Sequence, residues 1–188
     1  MFAPKTPWSS AMADDMSSGH PPIIAAVSFD EQGRQCLRQA CLRAVHAAQP
    51  VVALHVVHET SRTAGQYARY NQGAGLLPLT DIAKSMLAAV VDEVTGSDPA
   101  CAAAEIRQLV IPGVPANRIP EVAELVQAEL IILGGKDRYG LERLLAPGTP
   151  RSVLKRAGCK VLVIDETGQP QDAGKLEATG DAGAYSSA

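Results

Sequence analysis

Apolar residues fall along this chain in five short runs, nearly unbroken except at Arg107 and Gln108 of the third: Ile23 to Val27, Val51 to Val57, Ile106 to Ile111, Leu130 to Leu133 and Val161 to Ile164. Continuous runs of strand length, as opposed to alternating ones, mark strands covered on both faces, which is the signature of a parallel sheet. Stretches of helical period lie between them. After Asp30, a plausible N-cap, apolar or small residues recur at Leu37, Ala40, Cys41, Ala44, Val45 and Ala48, and the pattern stops before Pro50. A second stripe, Ala83, Leu87, Val90, Val91 and Val94, closes at Gly96, and a turn follows at Ser97, Asp98 and Pro99. Beyond the third run, Pro112 to Pro115 form a turn into a helix carrying Ile119, Val122, Ala123 and Val126, with Pro120 expected as its first residue.

The stretch from Leu130 to Asp165 reads as strand, glycine-bearing loop, helix, strand. A loop of this kind ends at a helix amino terminus, where backbone N–H groups bind phosphate. Strand and helix alternate throughout, so the expected fold is α/β, a five-stranded parallel sheet with helices on both faces. In such sheets ligands lie outside the carboxyl ends of the strands at the topological switch point. The Gly-rich segment from His58 to Thr80 is longer than an ordinary connection and reads as a flap or an insertion. Its Tyr67, Tyr70, Arg62 and Arg69 fit a base cover, a dimer surface or plain loop chemistry. Residues 1–21 and 167–188 lack periodicity and are rich in small and polar residues, so both are expected to be disordered tails around one domain at 22–166.

Composition narrows the function classes. The hydrophobic share is 46% with only 4% aromatic, which implies an aliphatic core and few stacking platforms for single-stranded nucleic acid. A formal charge of −3 argues against nucleic acid or anionic membrane as a partner held by bulk electrostatics. No apolar run approaches the roughly 18 to 20 residues of a membrane span, and residues 1–20 lack the apolar core of a signal peptide, so a cytoplasmic protein is expected.

The chain offers little catalytic or metal chemistry. Cys36, Cys41, Cys101 and Cys159 show no CxxC spacing and read as reduced thiols. His55 and His58 read as one packed and one loop histidine, because no third metal ligand is in sight. Ser28 has no companions for a nucleophile elbow, and Asp14, Asp15 and Asp30 do not make a phosphoacceptor pocket. No catalytic residue and no metal ligand is assigned, and an enzyme is not expected.

Several motifs together resemble the universal stress protein family: the exit Ser28-Phe29-Asp30, LHVVHE from Leu54, IPGVPANRI from Ile111, LGGKDRYGLERLL from Leu133 and KRAGCKVLVID ending at Asp165. The resemblance runs from Pro22 to Asp165. It implies strand order 3-2-1-4-5, an adenine nucleotide (ATP or AMP, with magnesium only alongside ATP), and a homodimer through the strand Val161 to Ile164. The implied ligand residues are Val27, Ser28, Phe29, Asp30, Val56, Gly113, Leu133, Gly134, Lys136, Asp137, Gly148 and Thr149. Nucleotide-binding members of the family carry Gly, two residues, Gly, nine residues, Gly, then Ser or Thr. Gly134 matches the first glycine, but Asp137 and Pro147 stand at the next two glycine positions and Gly148 at that of the Ser or Thr. A shift of one residue puts Gly148 and Thr149 in the last two roles. Asp137 adds negative charge, and Pro147 and Pro150 each remove an N–H donor. Lys136, Arg138, Arg143 and Arg151 supply offsetting positive charge. The reading is a non-enzymatic, nucleotide-binding dimeric stress-response module, and its alternative is a nucleotide-independent interaction protein whose loop has eroded; a slow ATPase is the weakest of the three.

Overall fold

The computed structural model describes residues 19–58, 78–135, 148–165 and 167–171. Lys136, Asp137, Pro147 and nearly all of the segment from His58 to Thr80 lie outside the described residues. Among the described residues eleven elements follow in chain order: β1 (Ile23–Ala26), α1 (Glu31–Ala47), β2 (Val51–Val57), α2 (Leu79–Ser97), α3 (Pro99–Ala102), β3 (Ile106–Pro112), α4 (Pro115–Leu125), β4 (Leu130–Gly134), α5 (Thr149–Arg156), β5 (Lys160–Ile164) and β6 (Pro170–Gln171). Every one of the five apolar runs is a strand, and β1 to β5 pair in parallel in the order 3-2-1-4-5.

β1 is the central strand. Its Ile23 and Ile24 pair with Val51 and Val52 of β2 on one side and with Leu130 and Ile131 of β4 on the other. All seven residues of β2 are buried, because helices cover both faces of the sheet at that strand. Ala25, Val51, Ala53, Ile132 and Ile164 share one core with Leu37 and Ala40 of α1 and with Leu87 and Val90 of α2. Ile24, Val52, Leu54, Ile131 and Val163 share the other with Ile119 and Val122 of α4 and with Val153 of α5. The chain leaves β1 toward β2 and later returns on β1's other side as β4, so the switch point lies between the carboxyl ends of β1 and β4.

Several boundaries depart from the sequence expectation, each for a local reason. Helix α4 begins at Pro115, with Pro120 in its interior. Two prolines competed for the first position, and Pro115 holds it because the Val114 carbonyl accepts the N–H groups of Asn117 and Arg118 at 2.9 and 3.0 Å. The expected turn at 97–99 shrinks to Asp98, between α2, which runs on through Ser97, and the short helix α3, capped where the Asp98 carboxylate accepts the Ala100 N–H at 2.9 Å. Val45 and Ala48 do not belong to the buried stripe of α1: Val45 is 40% exposed, and Ala48 is the left-handed C-cap at φ 52°.

The stretch read as a tail after residue 166 contains β6, which pairs antiparallel with β5 through Ile164 with Pro170 and Val163 with Gln171. Asp165 builds the connecting turn, its Oδ1 accepting the Thr167 N–H at 2.8 Å, the Thr167 hydroxyl at 2.7 Å and the Gln169 N–H at 3.0 Å. These bonds, the Thr167 hydroxyl foremost, hold its carboxyl below the usual carboxylate range. The expected dimer strand is therefore only partly open. β6 takes the outer edge of Val163 and Ile164 and leaves that of Lys160 to Leu162 uncovered by it.

Candidate functional site

The candidate site lies at the carboxyl ends of β1, β2, β3 and β4. Leaving β1, the chain passes Val27 and Ser28 and enters α1 at Asp30, an extended N-cap whose Oδ1 accepts the Gly33 N–H at 3.0 Å and the Ser28 hydroxyl at 2.5 Å. One oxygen of Asp30 is thus committed to the helix start. The turn is tight: a Cβ on Gly33 would sit 1.8 Å from the Ser28 carbonyl oxygen, so only glycine lets α1 approach the strand exit this closely.

Phe29, the next residue of the exit, is half-buried. It packs toward α1 and α2 and stacks on the His55 ring with centroids 4.0 Å apart. His55 is buried, as expected of a packed histidine, and its Nδ1 lies 2.8 Å from the Val27 carbonyl. A carbonyl can only accept, so Nδ1 carries the proton of a neutral ring. Burial holds the His55 pKa below its ordinary 6.5, against the opposing effect of the Val27 bond. Val27 and Leu133 are buried in opposite cores, so what each offers a ligand is main chain. Val56, 9% exposed, is the penultimate residue of β2 and packs in the same core as Leu133.

Gly113 follows β3 at φ +140°, a conformation that requires glycine, and donates its N–H to the Val57 carbonyl at 3.0 Å. Arg118 lies across it, bonding the Pro112 carbonyl at 3.2 Å and Glu121 at 2.7 Å. Gly134 ends β4 and is accounted for by packing, since a Cβ there would lie 2.3 Å from Cγ and Cδ of Gln32. The next N–H, that of Gly135, is spent on the Ile164 carbonyl at 3.0 Å. Gly148 is the N-cap of α5 without a side-chain cap, Thr149 is its first residue, and Pro150 removes one first-turn donor. An uncapped helix start of this kind offers backbone N–H groups to an anion.

The fold thus brings Val27, Ser28, Asp30 and Gly134 to adjoining strand ends, with Val56 one strand away and Gly113 two. Sequence reasoning missed Gln32 and Gly33. A signal for both was present, because they continue the buried stripe of Cys36, Leu37 and Ala40 one turn back, and a polar residue on a buried face must find partners. Cys36 and Cys41 are fillers whose thiols burial pushes up to about 12, far from the reactive range. Among the described residues no group of three or more His, Cys, Asp or Glu could hold a metal, and no helix is long and apolar enough to cross a membrane.

The family model described as the universal stress protein family matches residues 20–165, most of the chain. The chain belongs to the universal stress protein family. Within it, the chain is 43% identical over 60 residues to universal stress protein MJ0531 of Methanocaldococcus jannaschii, a match spanning 32% of this chain and 35% of that protein. It is 42% identical over 52 residues to a universal stress protein E homolog of Haemophilus influenzae, 28% of this chain and 17% of that one. These matches span about a third and a sixth of the curated relatives' lengths. A crystal structure of a universal stress protein in complex with cAMP has a TM-score of 0.54 at 14% identity, over 78% of this chain and 98% of that one. The universal stress protein from Archaeoglobus fulgidus in complex with dAMP gives 0.51 at 19%, over 76% and 95%. At such identities the likeness concerns the fold, and these neighbours share its Rossmann-like α/β form.

Proposed function

We propose that this universal stress protein is a non-enzymatic regulatory module that binds an adenine nucleotide across the switch point and acts as a cytoplasmic homodimer. The observation that carries the reading is the pairing of two features: the side-by-side carboxyl ends of the parallel strands β1 and β4, and the uncapped amino terminus of α5 at Gly148 and Thr149. Solved relatives in complex with cAMP and dAMP favour an adenine base. The base lies against Val56 and the main chain of Val27 and Ser28, the second oxygen of Asp30 accepts a ribose or amino donor, and the phosphates meet the α5 start. Lys136 and Asp137, the second and third residues after Gly134 in sequence, complete the proposed ligand set. Magnesium enters only with ATP. The dimer pairs through Lys160 to Leu162, the half of β5 that β6 leaves open.

Titration calorimetry and thermal shift with ATP and AMP, with and without magnesium, test this. Saturable binding with a raised unfolding midpoint is expected, and neither heat nor shift up to millimolar ligand sinks the reading.

A nucleotide-independent dimeric interaction protein is the second reading. It is favoured by Gly134, whose glycine is explained by Gln32, and by Gly135, whose N–H is already bonded. Partner capture that is indifferent to added nucleotide and lost on removal of residues 1–18 or 172–188 supports it.

A further inference from the structure

Beneath the cleft lies a side chain that the nucleotide reading does not draw on. Gln32 sits in the first turn of α1 and is only 5% exposed. Its Nε2 donates to the Gly135 carbonyl at 2.9 Å and, more weakly, to the Ile164 carbonyl at 3.4 Å. Two carbonyl acceptors fix the orientation of the amide, because its oxygen in that place would face their lone pairs. The amide cannot swing aside without losing these bonds, so the space a Cβ on Gly134 would need belongs to Gln32. Its neighbour Gly33 seals the same turn onto Ser28 and Asp30. One helical turn therefore touches the exit of β1 through Asp30 and Gly33, the exit of β4 through Gly134 and Gly135, and the end of β5 through Ile164.

We propose that Gln32 is a positioning residue for the ligand of this cleft. By tying the Gly135 peptide to α1 it fixes the spacing between the β1 and β4 exits, and with it the spacing between the base and phosphate ends of a bound nucleotide. The role rests on the adenine-nucleotide reading of the cleft. Removing the amide leaves the buried Gly135 carbonyl without this donor, and the β4 exit is then free to shift against α1. The base-side contacts on β1 and β2 are untouched by that shift. The loss should therefore fall on the phosphate-dependent part of the affinity.

Gln32→Met keeps the side-chain volume and removes both donors, whereas Gln32→Glu sets a carboxylate against two carbonyl oxygens. Each is compared with the natural full chain by titration with ATP and with adenosine, by the ligand-free unfolding midpoint, and by amide exchange at Gly135. For Gln32→Met, ATP affinity should fall about tenfold, the worth of one buried hydrogen bond, with adenosine changed by less than about twofold. Gln32→Glu should lose more, and Gly135 should exchange faster while Ile131 and Ile132 do not. Unchanged ATP affinity, or ATP and adenosine falling together with the midpoint, overturns the positioning role and leaves Gln32 a core residue. If the natural chain binds neither ligand, the reading of the cleft falls first and the role falls with it. Should the single variants not fold, Gln32→Ala combined with Gly134→Ala decides the shared space. Alanine at 134 should be tolerated far better once Gln32 is shortened, and independent losses would refute the coupling.

Discussion

His55 gives the fold a pH dependence. Its ring is enclosed by Phe29 and by the Val27 carbonyl, and its pKa lies below the ordinary 6.5 because burial disfavours the imidazolium. The unfolded chain, with an ordinary histidine, takes up a proton at higher pH than the folded one does. Stability from this group is complete above about pH 6.5 and is lost as pH falls through the lowered folded value. The urea midpoint of the natural protein should therefore drop between pH 7.5 and 5, and that of His55→Gln, which keeps a donor for Val27, should drop less. Parallel profiles would show that His55 is not the group responsible. Because Val27 and Phe29 begin the exit loop of β1, the same protonation would also loosen the base side of the cleft. From sequence, His55 was legible as a packed residue inside an apolar strand. Its partners were not, since Val27 and Phe29 meet it only when β1 pairs with β2.

Helix ends show where local rules and tertiary needs part. Ala48 closes α1 and Gln127 follows α4, both in the left-handed region at φ 52° and 50°, where a Cβ is unfavourable and glycine is the usual residue. Both side chains are exposed, so nothing in the core depends on them. Ala48→Gly and Gln127→Gly should each stabilise the fold by about 0.5–1 kcal/mol, measured by denaturant unfolding; a loss at either site would mean that its side chain makes contacts worth more than the relieved strain. Pro120 is the opposite case. Within α4 it removes the rung to Ala116, yet the helix continues because Ile119, Val122 and Ala123 are buried on the sheet and hold the turn on either side. A rule built on proline alone places the helix start at Pro120, whereas the Val114 carbonyl, accepting from Asn117 and Arg118, starts it at Pro115.

At the scale of the whole molecule, the described sheet has two outer strands. β3 stands at one edge and β6 at the other, and β6 covers only the last two residues of β5. Val161 and Leu162 remain half-buried on opposite faces of the sheet beside an edge that β6 does not reach. If the dimer forms there, Leu162→Arg should yield a monomer by sedimentation equilibrium, with an unfolding midpoint close to that of the natural chain at high dilution. An intact dimer in that variant would move the interface to another face. The hairpin of β5 and β6 was not legible, because a two-residue strand has no periodicity and owes its place to the Asp165 turn and to Gly168, at φ +80° against Gln35 of α1.

The order of apolar runs and helical stripes by itself determined the layers of this protein, because the burial of each element depends on periodicity that is written locally. The family motifs added the strand order and the location of the cleft. Only the tertiary structure decided what the residues of that cleft are for. It turned Phe29 onto His55, explained Gly134 by the Gln32 side chain and closed the last two residues of the β5 edge with β6. The first two are contacts between segments far apart in the chain, and their partners can be named only once the sheet has brought the strand ends together; β6 lies close by in sequence, but a strand of two residues carries no pattern to read.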